Sequence, residues 1–159
     1  MDDLDYNEEN YYKYIDDNLI LGNIWATESD VIQKESIDSV LSVCSDVKIN
    51  ADIKNRLVIE IDDSFYEANK MLQNLPQCIN FIDNELKKGY KVLVHCNGGI
   101  SRSASVIIGY LMKKNQISYE EAFQIVKEKK NNIKPNLGFE IMLKNDFEKI
   151  CIDNGNGKL

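Results

Sequence analysis

"VLVHCNGGISRSAS", residues 92–105, decides how this chain is read. Three strongly apolar residues run into His95, the one histidine of the sequence. Cys96, Gly98, Gly99 and Arg102 follow, and then a stretch patterned as helix. The continuous apolar run predicts a strand buried on both faces, central in a parallel sheet. A glycine-containing loop that opens directly into a helix predicts main-chain N–H groups converging on an anion, helped by the helix dipole. The GK[ST] ending of a nucleotide-binding loop is missing. Here Cys96 opens the cradle and Arg102 closes it.

Both residue types suit phosphate chemistry. The chain has two arginines, Arg56 and Arg102, and lysine carries the rest of its positive charge. A guanidinium contacts phosphate oxygens in a planar, bidentate way that an ammonium does not reproduce. A cysteine at the mouth of such a loop is expected to have its pKa lowered from about 8.5 towards the roughly 3.5–7.5 range of reactive thiols. Its thiolate could then attack phosphorus while loop amides and Arg102 stabilise the equatorial oxygens.

Outward from this loop, strands alternate with helical patterns. "NLILG" (18–22), "DSVLSV" (38–43), "RLVIEI" (56–61) and "KVLV" (91–94) read as strands. Helices are predicted up to Glu35, with Thr27 or Ser29 as cap, and over 69–88 and 103–114. Another follows the capping box "SYEE" (118–121) to about Lys130, and the last one runs to about Ile150. The alternation predicts an α/β fold with a central, mainly parallel twisted sheet flanked by helices, and a site at the C-terminal ends of its strands.

The 159 residues fit a single domain with a real core. Residues 1–14 read as an acidic, tyrosine-rich N-terminal segment that frays, with its tyrosines partly packed or serving as phosphosites. Residues 15–150 read as the catalytic domain and 151–159 as a flexible C-terminal tail. A net charge of −7 without a basic cluster argues against nucleic acid and anionic membrane partners. No apolar run approaches a membrane span, and the acidic start is unlike a signal peptide, so a cytoplasmic location is expected, with the nucleus also open. The four cysteines are scattered without a CxxC pair, which fits free thiols and disfavours a metal site.

"HCNGGISRS" carries the HCxxGxxRS signature of cysteine-dependent protein tyrosine phosphatases and resembles the dual-specificity subfamily, whose usual form is HCxAGxSRS. "LILGNIWAT" resembles that family's LYLGN segment, "IDSVLSV" its second strand motif and "IKPNLGF" its SPNxGF segment. The resemblance covers about residues 15–150. It implies a compact tyrosine phosphatase-like fold that hydrolyses phosphotyrosine and phosphoserine or phosphothreonine of protein substrates, without metal or other cofactor. It implies Cys96 as the nucleophile that forms a phosphocysteine. Phosphate binding falls to Asn97, Gly98, Gly99, Ile100, Ser101 and Arg102. Ser103 would ease departure of the sulfur and could cap the following helix as well. His95 and Asn136 would support the loop. Gly98 departs from the family's alanine and makes the loop backbone more permissive.

The family takes its general acid from just after the strand read as "RLVIEI", which assigns Asp63, with Asp62 as the alternative. Cys44, at the end of "VLSV", is either an ordinary buried thiol or, as in some relatives, a reversible disulfide partner of Cys96. Competing readings are a phosphoinositide or other non-protein phosphatase, disfavoured by neutral residues at 97, 98, 100 and 101, and a catalytically weak phosphoprotein-binding module. A Cys–His protease is disfavoured because the histidine adjoins the cysteine, so their side chains point apart. A monomer is the default expectation.

Overall fold

The computed structural model describes residues 8–153. Five strands form one sheet: β1 (Tyr12–Asp16), β2 (Leu19–Gly22), β3 (Ser39–Ser42), β4 (Asn55–Val58) and β5 (Val92–His95), in the order β1-β2-β5-β3-β4. β5 runs parallel to β2 and β3, and β3 parallel to β4, while β1 closes the far edge antiparallel to β2. The apolar run ahead of Cys96 is therefore the central strand of a mainly parallel sheet.

Strand alternation sorts the core into two layers. Leu21, Leu41, Val92 and Val94 face the larger one, under α2 (Ala68–Lys87), α3 (Arg102–Asn115), α4 (Tyr119–Lys129) and the C-terminal helices. Ile20, Val40 and Leu93 face the smaller one, with Ile32 of α1 (Ser29–Glu35), Ala26 and Ile37. With both faces covered, no position on β5 can afford a polar side chain until His95. The last helical run starts as α5 (Leu137–Met142), passes through a π-helical turn (Leu143–Phe147) and ends as α6 (Glu148–Asp153).

Several local expectations change. The segment read as a fraying N-terminus (1–14) holds the first three residues of β1, in which Tyr12 and Tyr14 share a face and donate their hydroxyls to Glu35 at 2.8 and 2.7 Å. Lys91 Nζ donates to the Tyr14 hydroxyl and to the Glu35 carbonyl. The period-two tyrosine pattern was hidden by the charge around it. Tyr6 and the rest of 1–7 lie outside the described residues. At the other end Cys151 is buried within α6 rather than in a tail, and 154–159 lie outside the described residues.

Neither Thr27 nor Ser29 caps α1. The cap position is Glu28, without a side-chain bond, and the Thr27 hydroxyl donates to the Ile24 carbonyl. β4 stops at Val58, short of Ile61, because the chain leaves the sheet edge and turns the Ile61 carbonyl towards Arg102.

Candidate active site

β5 ends at His95, α3 begins at Arg102, and the loop between them is held almost entirely by its carbonyls. His95 Nδ1 lies 3.1 Å from the Cys96 carbonyl. Ile24 N–H donates to Asn97 O and Lys134 N–H to Ile100 O. The Lys130 ammonium, 1% exposed, donates to Gly99 O at 2.9 Å and to Asn132 Oδ1. Ser105 donates to Ser101 O from both its backbone and its hydroxyl. In a trans peptide the N–H points opposite to the C=O, so tying these carbonyls outward turns the amides of 97, 98, 100, 101 and 102 inward. The Gly99 amide donates to Cys96 Sγ at 3.3 Å. The loop thus presents N–H groups towards the cysteine side without help from the side chains at 97, 98 and 100.

Gly99 is required twice. Its φ is +67°, in the left-handed region, and a Cβ there would stand 2.9 Å from the Gly22 carbonyl. Gly98 has no such φ, so the paired glycines are not equivalent.

Cys96 is 2% exposed and its Sγ lies 3.1 Å from the Ser103 hydroxyl. Ser103 is the second residue of α3 and does not cap it. The cap position is Ser101, whose hydroxyl instead accepts the Asn136 N–H at 2.8 Å. Arg102 is 6% exposed and donates through Nη1 to Ile61 O at 3.0 Å. Asn136 also donates through Nδ2 to Asp63 at 2.9 Å, and its Oδ1 caps α5 by accepting Phe139 N–H. A pocket of about 240 Å³ is lined by Asp63, Cys96, Gly98, Ile100, Ser101, Arg102 and Lys134. Asp63 is in that lining and Asp62 is not.

Beneath the loop, burial holds the His95 pKa down, from its ordinary 6.5 to about 4, with Arg56 and Arg102 adding to the effect. The ring is therefore neutral at pH 7. Its Nδ1 faces a carbonyl and must carry the proton, which leaves Nε2 to accept from the Ser42 hydroxyl at 2.6 Å. Ser42 Oγ in turn accepts from Arg56 Nη2, and Arg56 pairs with Asp46 at 3.2 Å. Cys44 follows directly on the residue whose N–H bonds to His95 O. Burial, and then the charge at Cys96, push its thiol up to about 11. All four cysteines are free. Among the described residues no group of His, Cys, Asp or Glu side chains could hold a metal ion.

Residues 19–149 match the family model described as "Dual specificity phosphatase, catalytic domain". The chain belongs to the dual-specificity phosphatase family. "Dual specificity protein phosphatase MPK-4" of Drosophila melanogaster is 34% identical over 135 residues, covering 82% of this chain and 34% of that protein. "Dual specificity protein phosphatase 1" of Arabidopsis thaliana is 32% identical over 146 residues, covering 91% of this chain and 72% of its own length. The chain thus spans only about a third of the first of these curated relatives. A solved structure, the human tyrosine phosphatase-like serine/threonine/tyrosine-interacting protein, superposes with a TM-score of 0.81 at 32% identity, over 90% of this chain and 99% of that one.

For this dual-specificity phosphatase domain, the site residues expected from sequence gather around one pocket and its rear supports. Sequence reading gave no role to Ser42, Arg56, Lys130 or Lys134. Arg56 carried a signal in the scarcity of arginine, and Lys134 in replacing the serine of SPNxGF. Lys130, inside the lysine run that ends α4, carried none.

Proposed function

We propose that this chain hydrolyses phosphotyrosine and phosphoserine or phosphothreonine in protein substrates through a phosphocysteine intermediate. The observation that carries the reading is one pocket lined by Cys96, inward-facing loop amides, Arg102 and Asp63. The Cys96 thiolate attacks phosphorus while the loop amides and Arg102 bind the non-bridging oxygens. The P–O ester bond breaks as protonated Asp63 gives its proton to the departing oxygen. Water then attacks the phosphocysteine and yields a proton to the Asp63 carboxylate. The P–S bond breaks, with the Ser103 hydroxyl donating to the departing sulfur, and inorganic phosphate leaves. Free thiols support a reducing setting, and we assign the reaction to the cytoplasm.

Hydrolysis of p-nitrophenyl phosphate by wild type and by Cys96→Ser tests this directly. Turnover by wild type alone is expected. Equal rates would overturn the reading and leave a phosphoprotein-binding module, a role in keeping with the name of the human structural neighbour. Faster wild-type turnover of a phosphoinositide than of any phosphopeptide would overturn the substrate class.

A further inference from the structure

One wall of the pocket carries a cation that the reaction above does not use. Lys134 lines the same pocket as Cys96, Arg102 and Asp63. Its backbone is pinned: its N–H donates to the Ile100 carbonyl of the loop at 2.8 Å, Ile133 before it is buried, and Pro135 after it restricts it to extended conformations. Its side chain is exposed, and no carboxylate among the described residues pairs with its ammonium. Asp63, on the same pocket, bonds to Asn136 instead. Arg102 is buried and committed to Ile61 O. The pocket therefore holds one buried cation for the phosphoryl group and one exposed cation at its rim.

On a chain of net charge −7, the exposed Lys134 ammonium adds positive charge to the pocket that holds Cys96 and Arg102. The rim around it also suits a polypeptide. Phe65 and Tyr66, just after Asp63, are exposed and stack edge to face, and Leu137, just after Asn136, is exposed as well. The Phe65 backbone packs directly against Gly138, so the segments that follow Asp63 and Asn136 are neighbours. Exposed apolar side chains close in sequence to Asp63 and to Lys134, together with the Lys134 ammonium, match a peptide that carries an apolar residue and an acidic group near its phosphoresidue. A lipid headgroup would bring an anionic surface up to an acidic protein.

Resting on the phosphatase reading, we propose that Lys134 is a second anion subsite. It reads an acidic group, a second phosphate or a carboxylate, on the substrate polypeptide beside the phosphoresidue to be cleaved. Because this contact forms on binding, it acts on KM more than on kcat.

The test compares kcat/KM for three phosphopeptides that differ only beside the scissile phosphoresidue: neutral, glutamate, or a second phosphoresidue. Wild type is expected to favour the two acidic peptides, with the preference falling as salt rises. Lys134→Ala is expected to cut that preference about fivefold, the upper end for an exposed ion pair, and Lys134→Arg to keep it. Equal preference in wild type and Lys134→Ala would overturn the subsite while leaving the phosphatase reading standing. Absence of turnover on every peptide and on p-nitrophenyl phosphate would overturn the phosphatase reading first. If Lys134→Ala lowers turnover of a soluble short-chain phosphoinositide more than that of the acidic peptides, the assignment to a polypeptide is wrong.

Discussion

Gly98 and Gly99 look alike in sequence and differ in what they do. At Gly99 the positive φ and the nearby Gly22 carbonyl both exclude a side chain, so Gly99→Ala is expected to abolish turnover of p-nitrophenyl phosphate and lower Tm. At Gly98 the backbone does not need glycine, and the family form carries alanine. Gly98→Ala should stabilise by about 0.4–1 kcal/mol through a less flexible unfolded chain, raising Tm by about 1–4 °C in a thermal melt. His95 gives a second test at this scale. Its folded pKa is depressed from 6.5 to about 4, so the unfolded chain takes up a proton that the folded chain refuses. Stability present above pH 6.5 is therefore lost as pH falls towards 4, by about 1.4 kcal/mol per unit at the steepest. The chain has one histidine, so the difference in urea midpoint between wild type and His95→Asn, followed from pH 6.5 to 4.5, reports on this site and should shrink as pH falls. Sequence reading reached Cys96, Arg102 and Ser103 because they recur at fixed spacing within one loop. It did not reach Ser42 or Arg56, which meet His95 only because β3 and β4 lie beside β5.

At the scale of elements, the start of α5 joins pieces that are far apart in sequence. Asn136 holds the loop through Ser101, holds Asp63 through its amide, and caps its own helix. Asp63→Asn is expected to lose about 10²–10⁴ in kcat on a phosphotyrosine peptide, whereas Asp62→Asn stays near wild type. If only Asp62→Asn lost turnover, with its acid-limb pH dependence flattened, the general acid would be Asp62. The helices α2, α3 and α4 were legible to within a residue or two, because long apolar periodicity and a cap mark them. β1 was not legible: its stability comes from pairing with β2 and from two phenols on Glu35, contacts that composition alone cannot signal. Burial first, and then Glu35, raise the Tyr12 pKa to about 12, which keeps that phenol a donor throughout the working pH range.

At the scale of the whole molecule, the sheet order makes neighbours of the two strands whose C-terminal ends lead to Cys44 and to Cys96. β3 and β5 are parallel and pair Ser42 with His95, and a bridge between Cys44 and Cys96 just beyond that pair can be tested by oxidation. Hydrogen peroxide would oxidise the Cys96 thiolate to a sulfenic acid. Attack by Cys44 would then form the disulfide and release water. Because the Cys44 thiol is pushed up to about 11, bridging should speed up with rising pH. Intact mass is expected to show a loss of about 2 Da, reversed by dithiothreitol, whereas Cys44→Ser should accumulate sulfinic acid. An unchanged pattern in Cys44→Ser would refute the bridge. The outward carbonyls of the loop have a consequence for how such a protein can evolve. A phosphate met by main-chain N–H groups does not care which side chains stand at 97, 98 or 100, so those positions are free to drift or to be recruited for selectivity, whereas Ser101 is held by its bond to Asn136. Constraint shifts to residues that never meet the substrate, such as Lys130 and His95. A saturation scan scored by growth should find its intolerant positions behind the loop as well as within it.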